Sequence, residues 1–269
     1  MEKEETNQFE DNHDNWESAR SKQESQSLVR VIKPIVKPIA LVHDAAKGID
    51  TRIVSPQYYN AFNYPLLSRE QGNLNFAIGI ASANPGEGKS LAASNLAVSL
   101  ALATQRKTII ADLNVYSPRQ HRIFGTKQSP GLLDALQGTE IRIFPTEIEF
   151  LHLLPAGNFL GGGLAAEVLH KDVATPVDGN RTGLSLVHAA AFRDVVHSLK
   201  AEFDFVIVDM PAVNTPFFPL LLTRYLDGIL VVVDSNRTKQ EDIQKIFQRF
   251  MENQIHGFIF NRAHNGVYG

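Results

Sequence analysis

Apolar residues in this chain gather in short unbroken runs instead of alternating with polar ones. The runs lie at 76–81 (FAIGIA), 107–112 (KTIIAD), 149–154 (EFLHLL), 204–209 (DFVIVD), 228–234 (GILVVVD) and 256–260 (HGFIF). Runs of this length, rich in Val and Ile and bounded by turn residues, predict parallel strands buried on both faces. The stretches between them carry helical patterns. Residues 91–103 are Ala- and Leu-rich on nearly every side, which predicts a helix packed inside an α/β layer. Phe192, Val195, Val196 and Leu199 fall at i, i+3, i+4 and i+7 and predict one core-facing stripe. Thr238-Lys239-Gln240-Glu241 reads as a capping box that opens a helix with Ile243, Ile246, Phe247 and Phe250 inward. A short helix is expected around Gly131–Leu136. Strands separated by helices predict an α/β fold with an open, mostly parallel, doubly wound sheet.

Two stretches break the pattern. Residues 1–27 are polar and mostly acidic, too poor in apolar surface to offset their ordering entropy, and are expected to be a disordered N-terminal extension. Residues 28–56 are apolar and basic, with a doubled Lys-Pro-Ile at 33–35 and 37–39. Pro34 and Pro38 disfavour a helix and predict an extended linker. The dispersed Arg30, Lys33, Lys37, Lys47 and Arg52 leave open a docking strip for a membrane protein or an anionic lipid surface. The expected organisation is a tail and linker over 1–56 and a globular domain over 57–269. Within that domain, 158–183 reads as a long surface insertion.

The chemistry starts where the first run ends. Phe76–Ala81 stops in Ala83-Asn84-Pro85-Gly86-Glu87-Gly88, meets Lys89-Ser90, and passes through Leu91 into the helical pattern. Strand, glycine loop, Lys-Ser and helix make a nucleotide phosphate cradle of the P-loop NTPase type. Backbone N–H groups and the helix start attract the phosphates, the lysine reaches the outer ones, and the serine hydroxyl suits Mg²⁺. Against the spacing G-x-x-x-x-G-K-S/T, the first glycine is replaced by Ala83, which implies a torsion open to an ordinary residue. In an open α/β sheet, ligands bind beyond the carboxyl ends of the strands. Lys89, Asp112 at the end of 107–112, and Asp209 at the end of 204–209 should therefore face one crevice. Asp209, closing an apolar strand, suits a Mg²⁺ partner. Asp112 by its own sequence context is equally a turn residue.

Composition narrows the field. The chain has 269 residues, no cysteine and a formal net charge of -3. Disulfides and thiolate metal sites are excluded, and nucleic acid is not expected as the main partner. No stretch approaches the roughly 18 continuous apolar residues of a membrane span, so a soluble, cytoplasmic protein is expected. His121, His152, His170, His188, His197, His256 and His264 show no repeated spacing of a metal site.

Ser82–Ser90 resembles the phosphate loop of the bacterial tyrosine kinases and related P-loop ATPases of capsule and exopolysaccharide synthesis. The resemblance continues through Ile109–Asp112, Pro118, Phe124-Gly125, Gly131–Leu136, Leu153–Gly157, Phe203–Asp209, Asp227–Val233 and Phe260-Asn261-Arg262, and spans roughly 57–264. That family is similar to the septum- and chromosome-positioning ATPases, which carry an extra lysine where this chain has Asn84. The resemblance implies an ATP- and Mg²⁺-dependent kinase acting on protein tyrosine. Asn84–Leu91 would cradle the nucleotide, with Lys89 on the phosphates. Ser90, Asp209 and Asp112 would serve Mg²⁺. Asp112 would also be the base toward the substrate hydroxyl, and Asn261 and Arg262 would lie at the adenine. It further implies a homo-oligomer and a membrane polysaccharide co-polymerase or chain-length regulator as partner, met at the inner membrane.

The departures define competing readings. The family's Asp-x-Asp-x-Arg is Asp112-Leu113-Asn114-Val115-Tyr116 here. Losing one carboxylate near Mg²⁺ is worth up to about a few kcal/mol, hence roughly ten- to a thousandfold in rate. The family's Asp-x-Pro-Pro is Asp209-Met210-Pro211-Ala212, its oligomer-forming Glu-Ala-Phe-Arg-x-Leu-Arg is Asn60–Leu66 without the charges, and its C-terminal tyrosine cluster is reduced to Tyr268. A catalytically weakened, nucleotide-binding regulatory subunit is therefore the alternative to a kinase. A positioning ATPase is a third reading, disfavoured by Asn84.

Overall fold

The continuous apolar runs form the middle of the sheet. Residues 39–41, 75–158, 186–215 and 218–263 are described in the structure, a computed structural model. In chain order the elements are β1 (Ile39–Leu41), β2 (Phe76–Ser82), α1 (Lys89–Thr104), β3 (Thr108–Asp112), α2 (Gln120–Ile123), α3 (Leu132–Leu136), β4 (Ile141–Pro145), β5 (Leu151–Leu154), α4 (Leu186–Glu202), β6 (Phe205–Asp209), α5 (Leu220–Thr223), β7 (Gly228–Asp234), α6 (Gln240–Arg249) and β8 (Ile255–Asn261). The strand order is β1-β4-β5-β3-β6-β2-β7-β8, and every pairing is parallel except β4 with β5. The expected acidic tail, the insertion at 159–183 and residues 57–74 lie outside the described residues.

Because successive side chains in a strand point to opposite faces, each central strand feeds two cores. Phe76, Ile78 and Ile80 of β2 join Ala92, Leu96 and Leu100 of α1 on one face. Ala77 and Ala81 join Phe192, Val195 and Leu199 of α4 on the other. This is the doubly wound arrangement that the apolar runs predict. The α4 stripe expected at 192–199 is buried in full.

Three differences from expectation are local. β4 and β5 form an antiparallel hairpin, with Phe144 opposite Leu153, where only a parallel strand at 149–154 is expected. β1, from within the stretch read as a linker, pairs in parallel with β4, so the sheet takes a strand from upstream of residue 57. At α6 the capping box does not form. Lys239 takes the cap position without a side-chain bond, because the Thr238 hydroxyl donates instead to Glu87 Oε1 at 2.7 Å. Ile246 and Phe250 of that segment are buried, but Phe247 is 49% exposed and packs against Phe258 with ring centroids 5.9 Å apart.

Candidate nucleotide site

β2 lies between β6 and β7, so its carboxyl end opens at the middle of the sheet, and the phosphate loop grows from that end. The loop is held by its own side chains. Glu87 is turned inward and buried, and its carboxylate accepts from the Asn84 backbone N–H at 3.0 Å, from Asn84 Nδ2 at 3.2 Å and from the Thr238 hydroxyl. Asn84 Nδ2 also donates to Asp242 Oδ2 at 3.0 Å, while its Oδ1 accepts from Asn214 Nδ2 at 2.9 Å. Asn84 is thus tied to α6 and to the loop after β6 of its own chain. These bonds fasten the loop to the end of β7 and the start of α6.

Gly88, the residue before α1, has φ +97°, and a Cβ there would sit 2.1 Å from Asn261 Nδ2. The amide of Asn261 fills that space and donates to the Glu87 carbonyl at 2.9 Å. Both the left-handed torsion and the close approach require glycine. Ala83, at the motif's first glycine position, is fully buried and its φ is not in the left-handed region, so an alanine fits without strain.

A cavity of about 650 Å³ opens above the loop. Pro85, Gly86, Gly88, Lys89, Ser90 and Leu91 form one wall. Asn114, Tyr116, Ser117, Arg119 and Arg122 from the segment after β3 also line the cavity, as do Ala212, Thr215 and Arg262. Arg262 is also paired with Asp234, and the Arg262 backbone N–H donates to Asn261 Oδ1 at 3.0 Å. Of the residues singled out from sequence, Glu87 and Asn261 support the loop from behind. The carboxylates of Asp112 and Asp209 lie below the cavity wall, fully buried.

Asp112 and Asp209 are register partners on adjacent strands, β3 and β6. Asp112 Oδ1 accepts from the Asn114 N–H at 3.0 Å, and Oδ2 accepts from the Arg119 and Gln120 N–H groups at 3.1 Å each. The turn role open to Asp112 from its sequence is what these bonds perform, shaping the loop that carries Asn114 and Tyr116. Burial pushes Asp112 up to about 8, with Asp209 adding to the shift and the three backbone N–H groups opposing it. Burial also raises Asp209, against the pull of Lys89 and of the Gln120 and Ser90 side chains. For Lys89, burial lowers the pKa, and the Asp209 and Asp112 carboxylates oppose it. One lysine and two carboxyl groups therefore share a single electrostatic environment.

Asp209 Oδ2 accepts from Gln120 Nε2 at 2.9 Å, whereas Oδ1 is buried with no hydrogen-bond partner. A buried acceptor left open in this way suits a cation or the water that a cation carries. The donor set of Asp209 with the hydroxyl of Ser90 is all oxygen and fits Mg²⁺. The loop, the lysine and the three arginines fit a polyphosphate.

Sequence reasoning passes over Gln120, Ser94, Arg119 and Arg122. Arg119 and Arg122, three apart just after Pro118, offered a weak signal as a cationic pair on one side of a short helix. Gln120 offered none.

The raised pKa of Asp112 has a stability consequence. Between the unfolded value near 4 and the folded value of about 8, the native state keeps a proton that the unfolded chain has lost. Stability without ligand therefore falls as pH rises through that window, by at most about 1.4 kcal/mol per pH unit from this group. Urea midpoints measured at pH 5, 6, 7 and 8 should decline more steeply for the wild type than for Asp112→Asn. Parallel slopes in the two proteins would contradict the assignment.

No family model matches the chain. It is 26% identical over 214 residues to the tyrosine-protein kinase CpsD of Streptococcus pneumoniae serotype 4, covering 77% of this chain and 83% of the relative. It is 24% identical over 212 residues to the putative tyrosine-protein kinase CapB of Staphylococcus aureus, covering 78% of each. Among solved structures, the chimerical protein CapA2B2 superposes with a TM-score of 0.61 at 25% identity, over 84% of this chain and 95% of the other. By sequence and by fold, this chain is a relative of the bacterial tyrosine-protein kinases.

Proposed function

We propose that the chain is a tyrosine-kinase-like ATPase of capsule or exopolysaccharide synthesis, which binds ATP with Mg²⁺ and transfers the γ-phosphate to a protein tyrosine. The observation that carries this reading is the convergence of Lys89, Asp112 and Asp209 beneath a cavity walled by the phosphate loop and lined by Arg119, Arg122 and Arg262. The loop N–H groups and Lys89 bind the phosphates, and the arginines hold charge that spreads over them during transfer. Mg²⁺ at Ser90 and Asp209, with Asp112 behind, would supply further neutralisation of the phosphate oxygens. In this reading Asp112, raised by burial to about 8, is the base for the tyrosyl proton as the phenol oxygen bonds to the γ-phosphorus and the bond to ADP breaks. The proton reaches it only when the 113–119 loop that covers its carboxylate moves. Arg262 would border the nucleotide, and Asn261 acts on it only through the loop that it supports from behind. The partner in this reading is a membrane polysaccharide co-polymerase or chain-length regulator. Among the described residues no helix is long and apolar enough to cross a membrane. Attachment at the inner membrane from the cytoplasmic side would then come through that partner, with self-association of the chain alongside it.

One observation favours a second reading. Asn114, where the family has a second aspartate, is buried at the cavity wall, and its amide is spent on the Ser117 carbonyl at 3.1 Å. A nucleotide-binding regulatory subunit with weakened transfer would have this feature. Labelled ATP with phosphotyrosine detection separates the two. Label on the wild type that disappears in Asp112→Ala supports the kinase. Label that appears only in Asn114→Asp, with a gain of roughly ten- to a thousandfold, supports the regulator.

A further inference from the structure

Glutamine is ordinarily a surface residue, yet Gln120 has no exposed surface. Its burial is matched by a complete set of partners. Nε2 donates to Asp209 Oδ2 and to the Ser90 carbonyl, both at 2.9 Å. Oε1 accepts from the Ser94 hydroxyl at 2.7 Å, and the backbone N–H donates to Asp112 Oδ2 at 3.1 Å. The orientation of the amide follows from chemistry. Turned over, its oxygen would face the Ser90 carbonyl and a carboxylate oxygen, which are both acceptors. The Ser90 carbonyl and the Asp209 carboxylate therefore fix the side on which the NH₂ lies. The Ser94 hydroxyl, shared with the Ser90 carbonyl at 2.8 Å, completes the set on the oxygen side.

The result is an unequal pair of oxygens on Asp209. One is held by an amide N–H, and the other is buried and open. The same residue touches the second carboxylate through its main chain and the first turn of α1 through the Ser90 carbonyl. No other residue among those described hydrogen-bonds both carboxylates.

We propose that Gln120 is a positioning residue for divalent-cation binding: it fixes Asp209 so that Oδ1 faces the cation and locks that carboxylate to the loop shaped by Asp112. This rests on the nucleotide reading above and adds to it the part that tunes cation affinity. Outer partners of this kind set the orientation and basicity of the groups that hold a metal, and removing one costs about 10–100-fold in metal affinity or activity.

The test uses the full chain, ADP and Mg²⁺. Gln120→Met keeps the volume and removes the amide. Ser94→Ala leaves the two donor bonds of the amide in place and removes the partner of its oxygen, and it remains informative if Gln120→Met does not fold. ADP affinity is measured in chelator, and Mg²⁺ is then titrated at saturating ADP. Gln120→Met should lose about 10–100-fold in Mg²⁺ affinity while ADP affinity in chelator stays within about twofold of wild type. Ser94→Ala should show a smaller loss in the same direction. Mg²⁺ affinity unchanged in both variants overturns the proposal and leaves the nucleotide reading standing. Equal losses with and without Mg²⁺ also overturn it, since they mark a purely structural role. Wild-type ADP binding that is indifferent to Mg²⁺ overturns the proposal alone, whereas a wild type that binds no ADP overturns the nucleotide reading as well.

Discussion

Lys89→Met is expected to weaken Mg·ATP binding by roughly 10–150-fold, the worth of about 1.5–3 kcal/mol for a hydrogen bond from a charged group. Turnover, where the wild type has it, should fall by about 10²–10³. Lys89 is buried at the head of α1, where desolvation lowers its pKa and Asp209 and Asp112 oppose the shift, and an incoming phosphate favours its charged form. A phosphate arriving in the cavity meets an ammonium group whose hydration has already been lost, so attraction is not spent on stripping water. Methionine matches the side chain in length and suits the buried site, so the fold should survive. Calorimetric titration with Mg·ATP, supported by a thermal shift, measures the effect. A variant that binds as tightly as the wild type would remove the phosphate-cradle reading, whatever the outcome for tyrosine phosphorylation.

Gly131→Ala should cost about 3 kcal/mol of stability, the upper end of what an added methyl costs where there is no room for it. Gly131 precedes α3 in a junction where Leu132 and Leu133 donate to the Pro155 and Ala156 carbonyls, both at 2.8 Å. A Cβ on Gly131 would lie 2.2 Å from the Pro155 carbonyl oxygen and 2.4 Å from the Gly157 nitrogen. Both are backbone atoms, so no rotamer change relieves the clash, and either α3 or the end of β5 must move. Gly138→Ala is the internal control. Its φ is +99°, but a Cβ there meets nothing within 4 Å, so only the torsional cost of about 1 kcal/mol applies. Urea unfolding of the two variants side by side should separate them clearly. Equal destabilisation would mean that the junction relaxes.

The parts of this molecule legible in its sequence are those where one local signal suffices. β2, β3, β6 and β7 are buried on both faces, and burial on both faces writes itself as an unbroken apolar run. The phosphate loop is legible because its torsions, its helix start and its lysine lie within one short stretch. β4 was hidden because Arg142 and Pro145 interrupt a strand of five residues near the sheet edge. Thr238 carried a true capping pattern, but a buried carboxylate 151 residues away competed for its hydroxyl. Phe247 kept helical spacing yet faces outward against Phe258, since an apolar residue beside the stripe can pack on a neighbouring strand. Gln120 is the extreme case. Its partners Ser94, Ser90 and Asp209 lie 26, 30 and 89 residues away, and nothing in the local sequence distinguishes it from a surface glutamine.

The direct register of Asp112 against Asp209 has a geometric consequence. Adjacent strands are held about 4.8 Å apart by their hydrogen-bond ladder, whatever the loops beyond them do. The two acids are mounted on a rigid ruler, and their separation is a property of the backbone lattice. Variation in the 113–119 loop can change what stands in front of them, as Asn114 and Tyr116 do, without altering how strongly one acid feels the other. Only a slip of β3 against β6 could change that spacing, and a one-residue slip would carry Ile109 and Ala111 to the opposite face of the sheet. The spacing of the acid pair is therefore insulated from drift in its loops, although the loop N–H groups help to set the Asp112 pKa, and chemistry on this scaffold is free to change at the rim while the pair beneath it stays in place.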